Sequence, residues 1–536
     1  MVVPELRPWR AAGPHVARIA DAVRPGLSRA VGVVRPRVAR AVAAARPRVA
    51  RSARAMAPRP AWITGPRTWR YTAGAATAGL ALAAGLVAVA GPWDSSGQRT
   101  AEADRAAALE RTGGADHGPG TAGAPRPAPS AGAVLAGLGG AVGTVRTAPD
   151  EKALADVLDP LLADPALGTR RAASVVDVAT GRRLYGRDAG RALVPASTTK
   201  IATAVAALSA LGPGHRLTTR TVLEPDTGEL VLVGGGDPTL TAREDADGLA
   251  SLRTLADRTA AALKKRGVRE ATLSYDTTLY PGSQKHPIGV NDNLAPLTPL
   301  MADEARTDDS TSGPAPRLSD PAADATRAFA GFLADHGIRT TAPGPSKATD
   351  RARPLAAVSS PPLAALVERM LTHSDNDIAE ALARQTALAA GERADSDGVA
   401  TAVAAQLRKL GAPLAGSAFH DGSGLNRADR ITAGLLTHLL AAAGDPARPG
   451  LRPVLTGLPV AGFTGTLASR YTDGAAGLVR AKTGTLTGVN ALAGTVVDQD
   501  GRLLAFAFLA SDTTDPAAAQ SALDRTATAL AACGCR

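Results

Sequence analysis

The chain has 536 residues, 45% of them hydrophobic and 20% charged, enough for a sizeable core and for more than one typical domain. Its net charge of +11 is misleading, because residues 1–70 are crowded with arginine against only Glu5 and Asp21, and the rest of the chain is slightly acidic. A basic whole-chain charge is therefore no argument for a specific nucleic-acid partner, and the basic segment's few aromatics, Trp9, Trp62 and Trp69, are not interleaved in a pattern suited to base stacking.

Residues 1–70 read as an Arg-rich cytoplasmic tail. Val23–Val33, Val34–Ala44 and Ala45–Ala55 repeat in register, each with an Arg-Pro pair (Arg24-Pro25, Arg35-Pro36, Arg46-Pro47). The prolines break any long helix into short turns. Residues 71–91 read as a transmembrane anchor or signal segment. Thr72–Ala90 carries no charge and is near the ~20 residues that span a bilayer. Arginines precede it, so the positive-inside rule places the tail in the cytoplasm and the remainder outside, held to the cytoplasmic membrane by residues 72–90. Ala88-Val89-Ala90 resembles a signal-peptidase site, and cleavage after Ala90 would give a secreted protein instead. Met56 is a second candidate start, with a shorter basic leader. Residues 92–150, rich in Gly, Ala and Pro, read as a flexible linker.

Residues 151–536 read as a folded α/β region. Alternation over Ala172–Val178 and at Leu184-Tyr185 predicts a hairpin. A helix follows, with Pro195 before it, an apolar run from Ile201 to Leu208, and a stop at Gly212-Pro213. Ser197-Thr198-Thr199-Lys200 falls in its first turn, where serine and lysine share a face. A serine hydroxyl is a weak nucleophile and needs an adjacent base, and a helix N-terminus favours developing negative charge. Lys200 is such a base only if its pKa falls, through burial or through a nearby cation such as Lys482. Alone, the tetrad more often means an ordinary helix start with an exposed lysine.

Residues 217–354 read as an insertion, with helices near Leu249–Lys265 and Ala322–Leu333. The main fold resumes by Val358. An amphipathic run, Pro362–Leu371, leads to Ser374-Asp375-Asn376. The Ser374 hydroxyl can relay a proton from Lys200 to a leaving amine, and the Asn376 amide can bind a substrate peptide group. Asp375 has no assigned role, and the tripeptide alone is commonly a polar loop between helices. Lys482-Thr483-Gly484-Thr485 opens alternating strands, Val489–Val497 and Leu503–Leu509 about the turn Asp498–Gly501, before a last helix, Pro516–Ala531. Lys482, Thr483 and Thr485 can bind a carboxylate. Gly484 has no side chain and lets a ligand backbone lie against the strand edge. The amides of Ser197 and Thr485 can form an oxyanion hole. The three strings in this order, on compatible elements, point to a serine hydrolase that works through an acyl-enzyme.

The chain from about Leu154 to Cys535 resembles the low-molecular-mass class C penicillin-binding proteins, the D-alanyl-D-alanine carboxypeptidase/endopeptidases. Beyond the three motifs, Gly235-Gly236-Asp237-Pro238-Thr239-Leu240, His420-Asp421-Gly422-Ser423-Gly424-Leu425 and Ala461-Gly462-Phe463-Thr464-Gly465-Thr466-Leu467 are similar to family strings. The resemblance implies an α/β (α+β) penicillin-binding-protein/β-lactamase-like transpeptidase fold with an inserted domain between the first and second motifs. It implies Ser197, Lys200, Ser374, Asn376 and Lys482 as catalytic residues and Thr483, Gly484 and Thr485 as substrate-binding residues, with no metal or cofactor. The implied substrates are peptidoglycan stem peptides ending in D-Ala-D-Ala, or cross-links with a D-amino-acid donor, with β-lactams as covalent inhibitors. The interval from Ser197 to Ser374 is much longer than in class A β-lactamases. Their Glu-x-x-Leu-Asn string is missing between Asn376 and Lys482, which argues for slow release of a penicilloyl adduct. The chain departs from the family in having no tryptophan over Tyr280–Leu294.

Two rivals stand beside this reading: a β-lactamase, which needs fast deacylation, and a non-catalytic wall-binding protein, which has no need of Ser197 and Lys200 together. The only cysteines, Cys533 and Cys535, can close a small disulfide and make a poor metal site. His373 and His420 are expected to be structural, since Lys200 already fills the role of base.

Overall fold

The computed structural model describes residues 150–533 apart from 290, 342–343 and 472–473. The tail, the anchor over 72–90 and almost all of the linker lie outside the described residues. Among the described residues no helix is long and apolar enough to cross a membrane.

Helix α1 (Glu151–Leu162) buries Leu154, Leu158 and Leu162, spaced four apart on one face. Strands β1 (Arg170–Asp177) and β2 (Arg183–Arg187) form the expected hairpin. A 3-10 turn, Ala196–Thr198, precedes α2 (Thr199–Leu211), which Gly212 ends with a φ of 81°. Ser197 therefore sits just ahead of the α-helix rather than within its first turn. The cause is Ala196, whose left-handed φ of 48° an α-helix cannot include.

The insertion begins after Leu217. It comprises β3 (Thr218–Leu223), β4 (Leu230–Val233), α3 (Leu252–Lys265), β5 (Leu273–Asp276), α4 (Pro321–Asp335), β6 (Gly344–Pro345) and β7 (Arg353–Ser359). Its sheet runs β7-β3-β4-β5-β6, antiparallel in the first two pairings and parallel in the last two. Leu252, Leu255 and Leu263 of α3 and Phe329 and Leu333 of α4 bury the face that carries Leu230, Leu232 and Leu273. Because β7 pairs along β3, the inserted sheet runs beyond residue 354 to Ser359. A reciprocal pair closes the neck: the Ser360 amide donates to the Leu217 carbonyl at 2.8 Å, and the Leu217 amide to the Ser360 hydroxyl at 3.0 Å.

Beyond the neck, α5 (Leu363–His373), α6 (Asn376–Ala389), α7 (Ser396–Lys409) and α8 (Ala433–Gly444) gather around α2. The chain ends in β8 (Val479–Leu486), β9 (Val489–Val497), β10 (Leu503–Ser511) and α9 (Pro516–Ala531). The main sheet is antiparallel throughout, in the order β8-β9-β10-β1-β2, so the first hairpin zips onto the last strand with Ala172 opposite Leu509. Alternation along β10 divides two cores. Ala505, Ala507 and Leu509 face the helical bundle, while Phe506, Phe508 and Ala510 face α1 and α9. On the bundle side the strands offer mostly alanine (Ala172, Ala491, Ala493, Ala505, Ala507), which lets the helices approach closely. The turn carrying Ser197 is thereby set against β8.

Candidate active site

The three motifs converge from three elements: the turn before α2, the junction of α5 and α6, and β8. Ser197 is half-buried at the mouth of a cleft of about 310 Å³ lined by Ser374, Asn376, Thr466, Thr483 and Thr485. Lys200, fully buried, uses all three ammonium donors. Its Nζ donates to Ser197 Oγ at 3.0 Å, Asn376 Oδ1 at 2.7 Å and the Ser423 carbonyl at 2.8 Å. Burial lowers its pKa to about 8, against the opposing pull of Asp421, Asp375, Glu380 and Asp377.

Lys482 is also fully buried, and donates to Ser374 Oγ at 2.8 Å and to the Thr483 carbonyl at 2.9 Å. Burial, then repulsion from Lys200, pushes its pKa well below the ordinary lysine value. The sequence suggested Lys482 as the cation that depresses Lys200. In the structure burial is the largest cause of the shift at both lysines, and their mutual repulsion adds to it at Lys482.

Ser374 ends α5 in the left-handed region, with φ of 59° and ψ of 37°. That conformation costs a non-glycine residue roughly 1–2 kcal/mol, and it turns the hydroxyl to Lys482. Asp375, given no role by the sequence, caps α6: its carboxylate accepts the Ile378 amide at 2.9 Å. The cap makes Asn376 the first residue of α6, and its Nδ2 donates to the Asn293 carbonyl of the insertion at 2.8 Å. Thr483 Oγ1 donates to Thr466 Oγ1 at 3.0 Å.

Gly484 also faces the protein itself. A methyl group there would lie 2.7 Å from the Pro195 carbonyl and 3.3 Å from Ala196 Cβ. The missing side chain makes room for the turn that carries Ser197. Gly424, with φ of 81°, faces the same turn from the other side, where a Cβ would collide with the Ala196 carbonyl. The strained Ala196 is clamped between two glycines.

Sequence reasoning missed Asn293, Ser423 and Thr466 as members of the site. Ser423 and Thr466 lie in strings already singled out, but their spacing carried no geometry. His373 lines the cleft, its pKa lowered by burial and by Arg369. The His420 amide donates to Asp429 at 2.6 Å. Behind the cleft, Glu304, Asp375 and Asp377 lie close together, as do His286, Glu380 and Asp421. Arginines balance the first group, with Arg306 on Glu304 at 2.9 Å and Arg317 on Asp377 at 3.1 Å. A larger cavity of about 640 Å³, beside Thr437 and His438 of α8, holds none of the motif residues.

The sequence profile of the D-Ala-D-Ala carboxypeptidase 3 (S13) family matches residues 154–316 and 306–530. The chain belongs to this family. Among its relatives, a carboxypeptidase of Mycobacterium tuberculosis is 36% identical over 430 residues, covering 77% of this chain and 90% of that protein. The carboxypeptidase DacB of Mycolicibacterium smegmatis is 37% identical over 408 residues, 72% of this chain and 85% of its own length. A D-alanyl-D-alanine carboxypeptidase of an Actinomadura species is 31% identical, over 68% of this chain and 82% of that protein. The crystal structure of penicillin binding protein 4 from Haemophilus influenzae superposes with a TM-score of 0.58 at 21% identity, covering 69% of this chain and 97% of that one. The fold of this S13 chain is thus the penicillin-binding-protein fold, a helical bundle and five-stranded sheet with a domain inserted after the nucleophile helix.

Proposed function

We propose that this S13 enzyme, a serine-type D-Ala-D-Ala carboxypeptidase, works through an acyl-enzyme on Ser197, with Lys200 as the base. The observation that supports this most is the 3.0 Å contact from a fully buried Lys200 to Ser197 Oγ, at the mouth of a cleft between Ser374 and Thr485. Ser197 Oγ attacks the penultimate carbonyl of a D-Ala-D-Ala stem peptide and passes its proton to neutral Lys200. The amides of Ser197 and Thr485 receive the oxyanion. The proton crosses by way of Ser374 to the amine nitrogen, the C–N bond breaks, and D-Ala leaves. Water then cleaves the ester and restores Ser197.

Thr483 and Thr485 bind the terminal carboxylate with Lys482, whose pKa rises again when that negative charge arrives. Gly484 keeps the strand clear of the nucleophile turn. Asn376 Nδ2, with one hydrogen on Asn293, directs the other to the substrate's peptide group. A β-lactam mimics the substrate and leaves a longer-lived ester. Residues 72–90 tether the enzyme to the outer face of the cytoplasmic membrane, a reading supported by the uncharged span and the arginines before it. Resistance of the native chain to alkaline extraction from membranes checks that tether; release would point to cleavage after Ala90.

The test of the mechanism is D-Ala release from a D-Ala-D-Ala peptide by the wild type and by Ser197→Ala. Loss of about 1,000-fold or more in kcat/KM, with the melting temperature retained, is expected. Release at an unchanged rate would move the nucleophile elsewhere.

A further inference from the structure

Behind Lys200 lies a buried polar cluster that the mechanism does not use. The loop 420–426 wraps around two carboxylates. Glu380 of α6 accepts the amides of Gly422 and Ser423, both at 3.0 Å, and is itself held by Arg384 at 2.7 Å. Asp421 accepts the amides of Gly424 at 2.6 Å and Asn426 at 2.7 Å, and the Ser423 hydroxyl at 3.2 Å. These bonds fix the one peptide whose carbonyl receives Lys200, that of Ser423. Thr203 of α2 pins the same loop from below through the Gly422 carbonyl at 2.6 Å.

The fourth partner of Asp421 comes from the inserted domain. His286 Nε2 lies 3.1 Å from Asp421 Oδ2, with the ring buried. Its Nδ1 accepts the Ile288 amide at 3.3 Å, so the ring proton sits on Nε2 and is donated to Asp421. Asp429 faces Asp421 as well. Burial and that neighbouring charge push its pKa up, which favours its neutral form, while against burial, hydrogen bonds to His286 and the Gly424 amide draw the Asp421 pKa down.

We propose that Asp421, seated by His286 of the inserted domain, is a positioning residue for the catalytic lysine: it holds the Ser423 carbonyl that aims Lys200 at Ser197. The proposal rests on Lys200 being the base. Around Lys200 the charged groups are Asp421, Asp375, Glu380 and Asp377, which favour its protonated form, and Lys482 across the cleft. Asp421 is the largest of the favouring charges. Its removal therefore lets Lys200 deprotonate at lower pH.

The experiment measures the acylation rate with fluorescent penicillin from pH 5.5 to 9.5 on the full chain, alongside melting temperatures. In Asp421→Asn combined with Asp429→Asn, so that the neighbouring carboxyl cannot ionise in place of Asp421, the acid limb of the profile moves to lower pH by about half a unit or more, which a scaffold role would not produce. His286→Ala loses the donor to Asp421 and slows acylation about tenfold at constant pH. His286→Gln, which can place an N–H at the same point, recovers most of that rate. Should the double variant fail to fold, the histidine pair decides alone. An unmoved acid limb in the folded double variant, Asp421→Asn with Asp429→Asn, would overturn the proposal. So would wild-type acylation in His286→Ala, whatever its melting temperature, and the cluster would then be a clasp between domains. A wild-type chain that takes no label would count against the Ser197 mechanism itself, a distinct failure.

Discussion

At the scale of single residues, the site depends on two buried lysines with unlike tasks. Lys200 has its pKa lowered to about 8, chiefly by burial. In the proposed mechanism the neutral form is the base, so acylation is expected to rise with pH and level off above about 8. Below that value it falls about tenfold per pH unit. A rate profile with fluorescent penicillin checks this, and a flat profile from pH 6 to 9 would remove Lys200 from the proton path. Gly484 has an equally specific task. In Gly484→Ala the new methyl meets the Pro195 carbonyl at 2.7 Å. We expect an acylation loss of about 100-fold, read by labelling rate, with a destabilisation of about 1–3 kcal/mol. Full activity would leave only the ligand-facing role that the sequence suggested. The motif residues were legible because their chemistry is local: a serine three places from a lysine already implies a shared face. The role of Gly484 was not, because the carbonyl it accommodates lies on a turn far away in the chain.

At the scale of elements, α6 explains why the site is rigid. Its apolar residues Ile378, Leu382 and Ala383 face the bundle, while Asp377, Glu380 and Arg384 form a buried polar stripe. Asp377 accepts the Ala295 amide at 2.9 Å and pairs with Arg317, both side chains being about 2% exposed. Removal of one partner of a buried pair typically costs 3–5 kcal/mol. Burial and Asp375 push the Asp377 pKa up to about 7, so it neutralises readily and softens the loss. Arg317→Ala should therefore destabilise by about 3 kcal/mol, seen in denaturant unfolding. A change below the error of that measurement would mean the stripe does not hold the domains together. The sequence showed α6 only as the segment after a possible polar loop. Its charges in an apolar helix, at 377, 380 and 384, share one face, and this was the available sign that a second domain packs on it. The predicted start of the nucleophile helix was off by a turn because nothing in Pro195-Ala196-Ser197 signals a left-handed alanine.

At the scale of the whole molecule, the described chain is two domains meeting over one lysine. The neck at Leu217 and Ser360 joins them once, and contacts from Asn293, Ala295 and His286 join them again at the catalytic centre. The insertion itself could be read from the long interval between the first two motifs. Its part in completing the site could not, since those contacts join residues more than eighty positions apart, such as Asn293 and Asn376, 83 positions apart. The family match places the chain among D-Ala-D-Ala carboxypeptidases, and the proposed acyl-enzyme on Ser197 rests on its 3.0 Å contact with buried Lys200. The most direct test is the intact mass of the protein after benzylpenicillin, with peptide mapping of the adduct and a chase without drug. A single penicilloyl group on Ser197 that persists through the chase is the predicted result. An adduct on another residue, or rapid turnover to free penicilloic acid without an accumulated adduct, would contradict the account.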